Sequence, residues 1–287
     1  MTLRRRFPRL ALLLALLCLP PALRAQLHPL AVPGGVARLE LGPDTAARPQ
    51  LWLGDQPVTV LARQGRWQAL VGIPLDTPAG TLILRQGPRP DQGSPLALRV
   101  EPRQYPVQNL RLKNKGQVEL SPENEARVAR EHEEIARLKR HWRDTPYVDT
   151  DFVRPAAGRL SGRFGVRRFF NGQPRAPHSG LDIAAARGTP VRTVSGGQVL
   201  AVADYFFNGR SVFIDHGQGL ISLYCHLDGI DVHPGQGLEK GAPIGTVGST
   251  GRSTGPHLHW TMVLNGTNVD PALFLHQSAG TSLDTRP

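Results

Sequence analysis

The sequence predicts a mainly β protein, on three observations. Short Val, Leu and Ile runs recur between turn residues, and Gly (31) and Pro (26) are abundant among 287 residues. Only one segment, near the middle, has helical periodicity. Gly and Pro weaken helix interiors and suit turns. A hydrophobic content of 40% is enough for real cores and excludes a coiled coil, a collagen-like repeat and a wholly disordered chain. The length points to two domains. The expected architecture is a small N-terminal β-sandwich, a linking amphipathic helix and a C-terminal domain of antiparallel β-sheet.

Residues 1–25 read as a secretory signal peptide. Arg4, Arg5, Arg6 and Arg9 precede an apolar run over 11–19, and the small residues Ala22 and Ala25 offer a cleavage site before Gln26. The run is too short for a comfortable membrane span. Cys18 lies inside it and follows Leu17, so lipidation is not expected. The expected location is the periplasm or the exterior, with no stable membrane anchor after cleavage. Five of the 34 basic residues and none of the 23 acids lie in 1–25, so the mature chain carries +6. That charge suits an anionic polymer such as cell wall, and no nucleic-acid motif is present. Cys225 is the one cysteine left, which excludes an intramolecular disulfide.

Residues 26–112 read as the sandwich-like domain. Residues 36–41 alternate apolar and polar, and further short runs at 51–53, 58–61, 67–73, 81–84 and 96–100 are separated by Gly, Pro and Asp. Trp52 and Trp67 are expected in its core. Ser121 caps a predicted helix over 121–143 with Pro122 at its first position; Val128, Ile135, Leu138 and Trp142 form its apolar stripe, and His132 is expected to pack beside it. Glu133 with Arg137 and Arg130 with Glu134 have ion-pair spacing on the wet side. Residues 144–155 read as a linker, 155–277 as a second β domain and 278–287 as a disordered tail. No catalytic cluster appears before residue 177, so the first half is expected to position the protein on its target or to cover the site.

The chemistry concentrates on four histidines and one carboxylate. His178 and Asp182 are four residues apart, His257 and His259 alternate on a predicted strand, and His226 ends another apolar strand. Residues i and i+2 of a strand share a face, so His257 and His259 can look into one cavity. A catalytic zinc takes three N or O ligands and leaves one position open. His178, Asp182 and one histidine of the 257/259 pair meet that need; the other and His226 remain for proton transfer or charge stabilisation. Cys225 and His226 are strand neighbours facing opposite sides, which is poor geometry for a catalytic pair. The Gly245 to Gly255 run lacks the Gly-Lys-Ser/Thr ending of a phosphate loop. His216 is expected to shape a turn, and His233 and His276 to be solvated. The 232–241 stretch resembles a lipoyl-carrier turn, but Lys240 is not in a modification motif.

His178-x3-Asp182, Tyr224-x-His226-Leu227 and Gly251-Arg-Ser-Thr-Gly-Pro-His257-Leu-His259-Trp260 together resemble the lysostaphin/LytM-type zinc metallopeptidases, over about residues 155–275. The resemblance implies Zn2+ held by His178, Asp182 and His259, with His226 and His257 as catalytic histidines. It also implies hydrolysis of peptide cross-links of bacterial peptidoglycan by a metal-activated water, at a D-alanyl–diaminopimelate bond, with the accessory β domain of secreted proteobacterial members. The alternative is a non-catalytic regulator or wall-binding module of the same fold; such members lose ligands, whereas all five positions are filled here. The implied partners are peptidoglycan stems and cross-links, with no protein partner indicated. Thr261 stands where an acidic residue or Gly is expected, and it is not expected to touch a ligand.

Overall fold

In the computed structural model, residues 30–110, 120–170, 173–174 and 176–275 are described. The predicted signal peptide, His276 and the predicted tail lie outside the described residues.

The N-terminal half is a two-sheet sandwich. One sheet has the order β1 (Val36–Pro43), β5 (Arg66–Gly72), β4 (Thr59–Arg63); the other runs β3 (Gln56–Pro57), β2 (Leu51–Leu53), β6 (Gly80–Gln86), β7 (Ser94–Val100). Alternating side chains put Leu51, Val60, Ala69, Val71, Leu84 and Leu98 between the sheets as one core, with Trp67 packed partly buried against it. Strand β8 (Val107–Leu110) leaves this sandwich and pairs in parallel with β10 (Arg167–Phe170) of the second half, whose other neighbour is β11 (Gln173–Pro174).

Helix α1 (Pro122–Lys139) starts as the sequence predicts: Ser121 Oγ accepts from Asn124 N, and Pro122 opens the first turn. It stops at Lys139 rather than near Arg143. Val128 and Leu138 are its buried residues, and Ile135 packs partly buried beside Leu138. His132 is exposed, one position off this stripe. The ion pair observed on the helix is Arg127 with Glu131, and Glu134 instead accepts from the Tyr205 hydroxyl. The reason is tertiary: a β-turn of the second half lies beside the helix and takes Glu131 and Glu134 as acceptors.

The second half is built on β9 (Arg159–Gly162), β12 (Leu181–Ala184), β13 (Pro190–Arg192), β14 (Gly197–Tyr205), β15 (Gly209–Gly217), β16 (Leu220–Cys225), β17 (Leu227–Ile230), β18 (Gly237–Leu238), β19 (Pro243–Val247), β20 (His257–Leu264) and β21 (Thr267–Val269). The main sheet has the order β18-β14-β15-β16-β20-β12-β9, with β21 paired to β20; β13, β19 and β17 form a small sheet. All of these pairings are antiparallel. Trp260, Tyr224, Ile214 and Leu258 lie in the core of this half. His216 belongs to β15 rather than to a turn; buried, it reaches Gly196 O and Ser222 Oγ through its two ring nitrogens.

The stretch 144–155, expected to be a linker, is packed. Val148 and Phe152 are buried, and the Phe152 ring stacks on Phe274 at 4.9 Å. The two halves also share one core: Val36, Leu61 and Leu70 join the cluster that holds Trp260 and Phe152. Along this seam, buried side chains of two residues with positive φ, Gln218 and Asn265, satisfy the sandwich's backbone. Val60 N donates to Gln218 Oε1 at 2.9 Å, Gly72 N to Asn265 Oδ1 at 3.0 Å, and Thr59 Oγ1 to Gln218 O at 2.8 Å. A buried donor left without its acceptor costs about 1–3 kcal/mol, so each of these contacts ties one half to the other.

Candidate metal centre

The β12–β20 register sets Asp182 directly opposite His259 and Ala184 opposite His257. Cys225, at the end of β16, is opposite His259 on its other side, and His226 follows it. Directly opposed residues of an antiparallel pair share a face. The ladder alone therefore brings Asp182, His257 and His259 to one patch. His226 turns into the same patch with φ 62°, its N–H donating to Asn208 O at 2.9 Å. His178 lies on the loop before β12, pinned at both backbone groups: its N–H donates to Val166 O at 2.9 Å and its carbonyl accepts from Gly165 N at 2.8 Å.

The three residues His178, Asp182 and His259 meet closely. Asp182 Oδ1 is 2.9 Å from His178 Nε2 and 2.8 Å from His259 Nδ1, and the two nitrogens are 3.0 Å apart. The other ring nitrogens fix the tautomers. A carbonyl oxygen only accepts, so the Nδ1 atoms of His178 (Arg163 O, 2.7 Å), His226 (Thr250 O, 2.8 Å) and His257 (Gly255 O, 2.8 Å) carry the proton. In the neutral ring each Nε2 is then a bare lone pair. His259 places Nε2 at 3.0 Å from Thr261 Oγ1, and with its proton on Nε2 it turns a bare Nδ1 to the centre. Two imidazole lone pairs and a carboxylate oxygen facing one another within 3.0 Å repel unless a cation sits among them. The donor set therefore fits a metal ion.

The surroundings support that arrangement. Burial pushes the Asp182 carboxyl up, but its close contacts with His178 and His259 outweigh that and hold the group well below the usual carboxylate range. Arg168 Nη2 donates to the outer oxygen, Oδ2, at 3.2 Å, leaving Oδ1 for the centre. Burial depresses His259 although Asp182 opposes it, and burial with the neighbouring His259 and His257 pushes His226 down to about 3. The His226 ring is therefore neutral at ordinary pH. Two glycines make room: a Cβ on Gly162 would stand 2.2 Å from Asp182 Oδ2, and one on Gly180 would stand 2.7 Å from Thr261 Oγ1.

Residues 176–271 match peptidase family M23 and residues 29–91 match the M23 N-terminal domain. A Pseudomonas aeruginosa crystal structure assigned to peptidase M23 is similar at 38% identity and a TM-score of 0.72, over 86% of this chain and 96% of that one. The chain belongs to peptidase family M23.

Among curated relatives, the peptidoglycan DD-endopeptidase ShyA of Vibrio cholerae is 41% identical over 113 residues, covering 39% of this chain and 26% of that protein. The DD-carboxypeptidase/endopeptidase Mpg of Neisseria meningitidis is 41% identical over the same extent, with the same coverage. The chain thus spans about a quarter of the length of these relatives. All five site residues expected from the sequence converge in this M23 fold: the His226 and His257 rings are 4.7 Å apart, and His226 and His259 6.0 Å. Thr261 is a correction. Buried and facing the same side as His259 two residues away, its hydroxyl does touch that histidine. Arg168, Gly162 and Gly180 carried no signal in the sequence, because their roles exist only through the register of β9, β10 and β12.

Proposed function

We propose that this M23 protein is a zinc endopeptidase that cuts peptide cross-links of bacterial peptidoglycan outside the cytoplasm, at a D-alanyl–diaminopimelate bond. The observation that carries this reading is the cluster of three bare ligand atoms within 3.0 Å of one another, flanked by two further imidazoles. His178 Nε2, Asp182 Oδ1 and His259 Nδ1 are the ligands. Two nitrogens and one oxygen suit zinc, and three protein ligands are the number found in catalytic sites. Bound there, the metal supplies Lewis acidity toward a peptide carbonyl and lowers the pKa of water. His226 and His257 present lone pairs at Nε2, so either can accept a proton from the attacking water, and the Nε2–H so formed then donates to the departing amine. The names of the curated relatives support the wall as substrate, and the +6 balance of the chain without residues 1–25 suits an anionic polymer. Among the described residues, no helix is long and apolar enough to cross a membrane.

Purified chain incubated with diaminopimelate-type sacculi is expected to release uncross-linked monomers, seen by mass spectrometry as loss of D-alanyl–diaminopimelate dimers, and a chelator is expected to stop it. Turnover that persists after chelation, or dimers that survive while another bond is cut, would overturn the assignment.

Thr261 makes a sharper test of the ligand set. With Nδ1 bare toward the metal, the Thr261 hydroxyl accepts from His259 Nε2–H and orients the ring, and such outer partners are worth about 10–100-fold in metal affinity or activity. Thr261→Val is expected to weaken zinc binding by that factor in competition with a chromophoric chelator, and Thr261→Ser to restore it. Equal affinities in all three proteins would show that the hydroxyl does not orient the ring.

A further inference from the structure

A cavity of about 330 Å³ opens beside the loop that carries His178, lined by Leu75 of the sandwich, Lys139 at the end of α1, Phe164, Pro177, Ser179 and Asn268 among others. Its polar groups are left unanswered. The Asn268 Oδ1 atom is buried with no hydrogen-bond partner. Lys139 is partly buried, burial holds its ammonium below the usual lysine value, and among the described residues no carboxylate pairs with it. An orphaned buried amide oxygen is costly, and a partly buried ammonium with no carboxylate beside it has lost part of its hydration, so a ligand that answers both would relieve both costs.

The register ties this cavity to the metal centre. Asn268 of β21 stands opposite Val263 of β20, on the face that carries His259 and Thr261. Four residues of strand separate Val263 from His259, or about 13 Å. Thr261 and Val263 are buried, so a peptide of about four extended residues would cover that distance past Ala176, Pro177 and Ser179, which line the cavity beside His178, rather than along the β20 face.

We propose that this cavity is a binding site for a carboxylate of the peptidoglycan stem peptide, with Lys139 taking the carboxylate and Asn268 Oδ1 accepting a neighbouring peptide N–H. The proposal rests on the peptidoglycan reading above and adds a recognition site to it. Two features select the ligand. An anion without a hydrogen, such as chloride or sulfate, would answer Lys139 but offers no donor to Asn268, and the walls of Leu75, Phe164 and Pro177 suit the alkyl parts of a peptide rather than a hydrated ion. The geometry also gives the accessory half a part in recognition, because Leu75 and the last residue of α1 belong to elements that precede the peptidase fold.

The test uses the zinc-loaded full chain and a ligand it does not cut: a disaccharide tetrapeptide monomer with free carboxylates, and the same monomer with its carboxylates amidated, each titrated calorimetrically. A charge-assisted hydrogen bond corresponds to about 10–100-fold in Kd. The wild type is expected to favour the free acid by that factor. Lys139→Met, which keeps the apolar stem, is expected to lose the preference while retaining zinc and its affinity for the amidated monomer, and Lys139→Arg to keep most of it. Identical affinities of wild type and Lys139→Met for the free acid would overturn the site. So would an equal loss on both monomers, or no binding of either by the wild type. A chain that shows the preference but leaves sacculi intact would sink the endopeptidase reading and leave the site standing; a chain that cuts sacculi with no dependence on Lys139 would do the reverse.

Discussion

Alanine at His178, Asp182 or His259 is expected to remove the metal and, with it, hydrolysis. Each residue supplies one of three ligand atoms that lie within 3.0 Å of one another, and among the described residues no other group of three His, Cys, Asp or Glu side chains offers a metal-binding cluster. The loss should exceed the roughly 10–100-fold that removal of an outer partner costs. The fold should survive, because deleting one member relieves the mutual repulsion of the metal-free cluster and removes no core side chain. Metal content by atomic absorption, read beside circular dichroism and dimer hydrolysis, checks the three variants. One equivalent of zinc retained by the folded His259 variant would refute its place in the ligand set.

Alanine at His226 or His257 is expected to leave the metal in place while turnover falls about 10²–10⁴-fold, the usual worth of a positioned acid–base group. Both rings donate a hydrogen bond from Nδ1–H to a backbone carbonyl, which leaves Nε2 a bare lone pair. His226, pushed down to about 3 by burial and by its imidazole neighbours, is neutral throughout the working range, so its lone pair is available without any prior deprotonation. Its protonation therefore does not set the acid limb of the pH profile between pH 5 and 7. Zinc stoichiometry and kcat on a soluble cross-linked dimer separate the effects: metal at one equivalent, kcat lowered, KM little changed. Absence of zinc from the His257 variant together with full zinc in the His259 variant would mean that the two histidines exchange roles.

The parts of this site that were legible in the sequence are those set by local periodicity. His257 and His259 share a face because a strand has period two, and β20 spans the residues that the apolar alternation marks. The sandwich strands and the Ser121 cap follow equally from turn chemistry and helix capping. What escaped depends on register between distant segments. Thr261 is an ordinary strand residue until its hydroxyl meets the ring two positions before it, and nothing in a single sequence says which strand lies across from Asp182. The tail of α1 shows the same limit. The Arg130–Glu134 pair read from helical spacing gave way because Glu134 serves the Tyr205 hydroxyl of the neighbouring hairpin. The 144–155 stretch, with its two prolines, has the composition of a tether, yet Val148 and Phe152 fill a core whose other wall comes from residues over a hundred positions later.

The seam at Gln218 and Asn265 bears on anyone who would trim this protein into a compact lytic reagent. Cutting away the sandwich would strip Val36, Leu61 and Leu70 from a shared core and leave raw apolar surface where a soluble protein tolerates little. It would also strand two amide side chains whose partners, Val60 N and Gly72 N, had left with the discarded piece. A minimal enzyme of this kind calls for a resurfaced scar, with polar residues in place of the exposed apolar ones and shorter side chains at 218 and 265, before its catalytic residues are worth tuning.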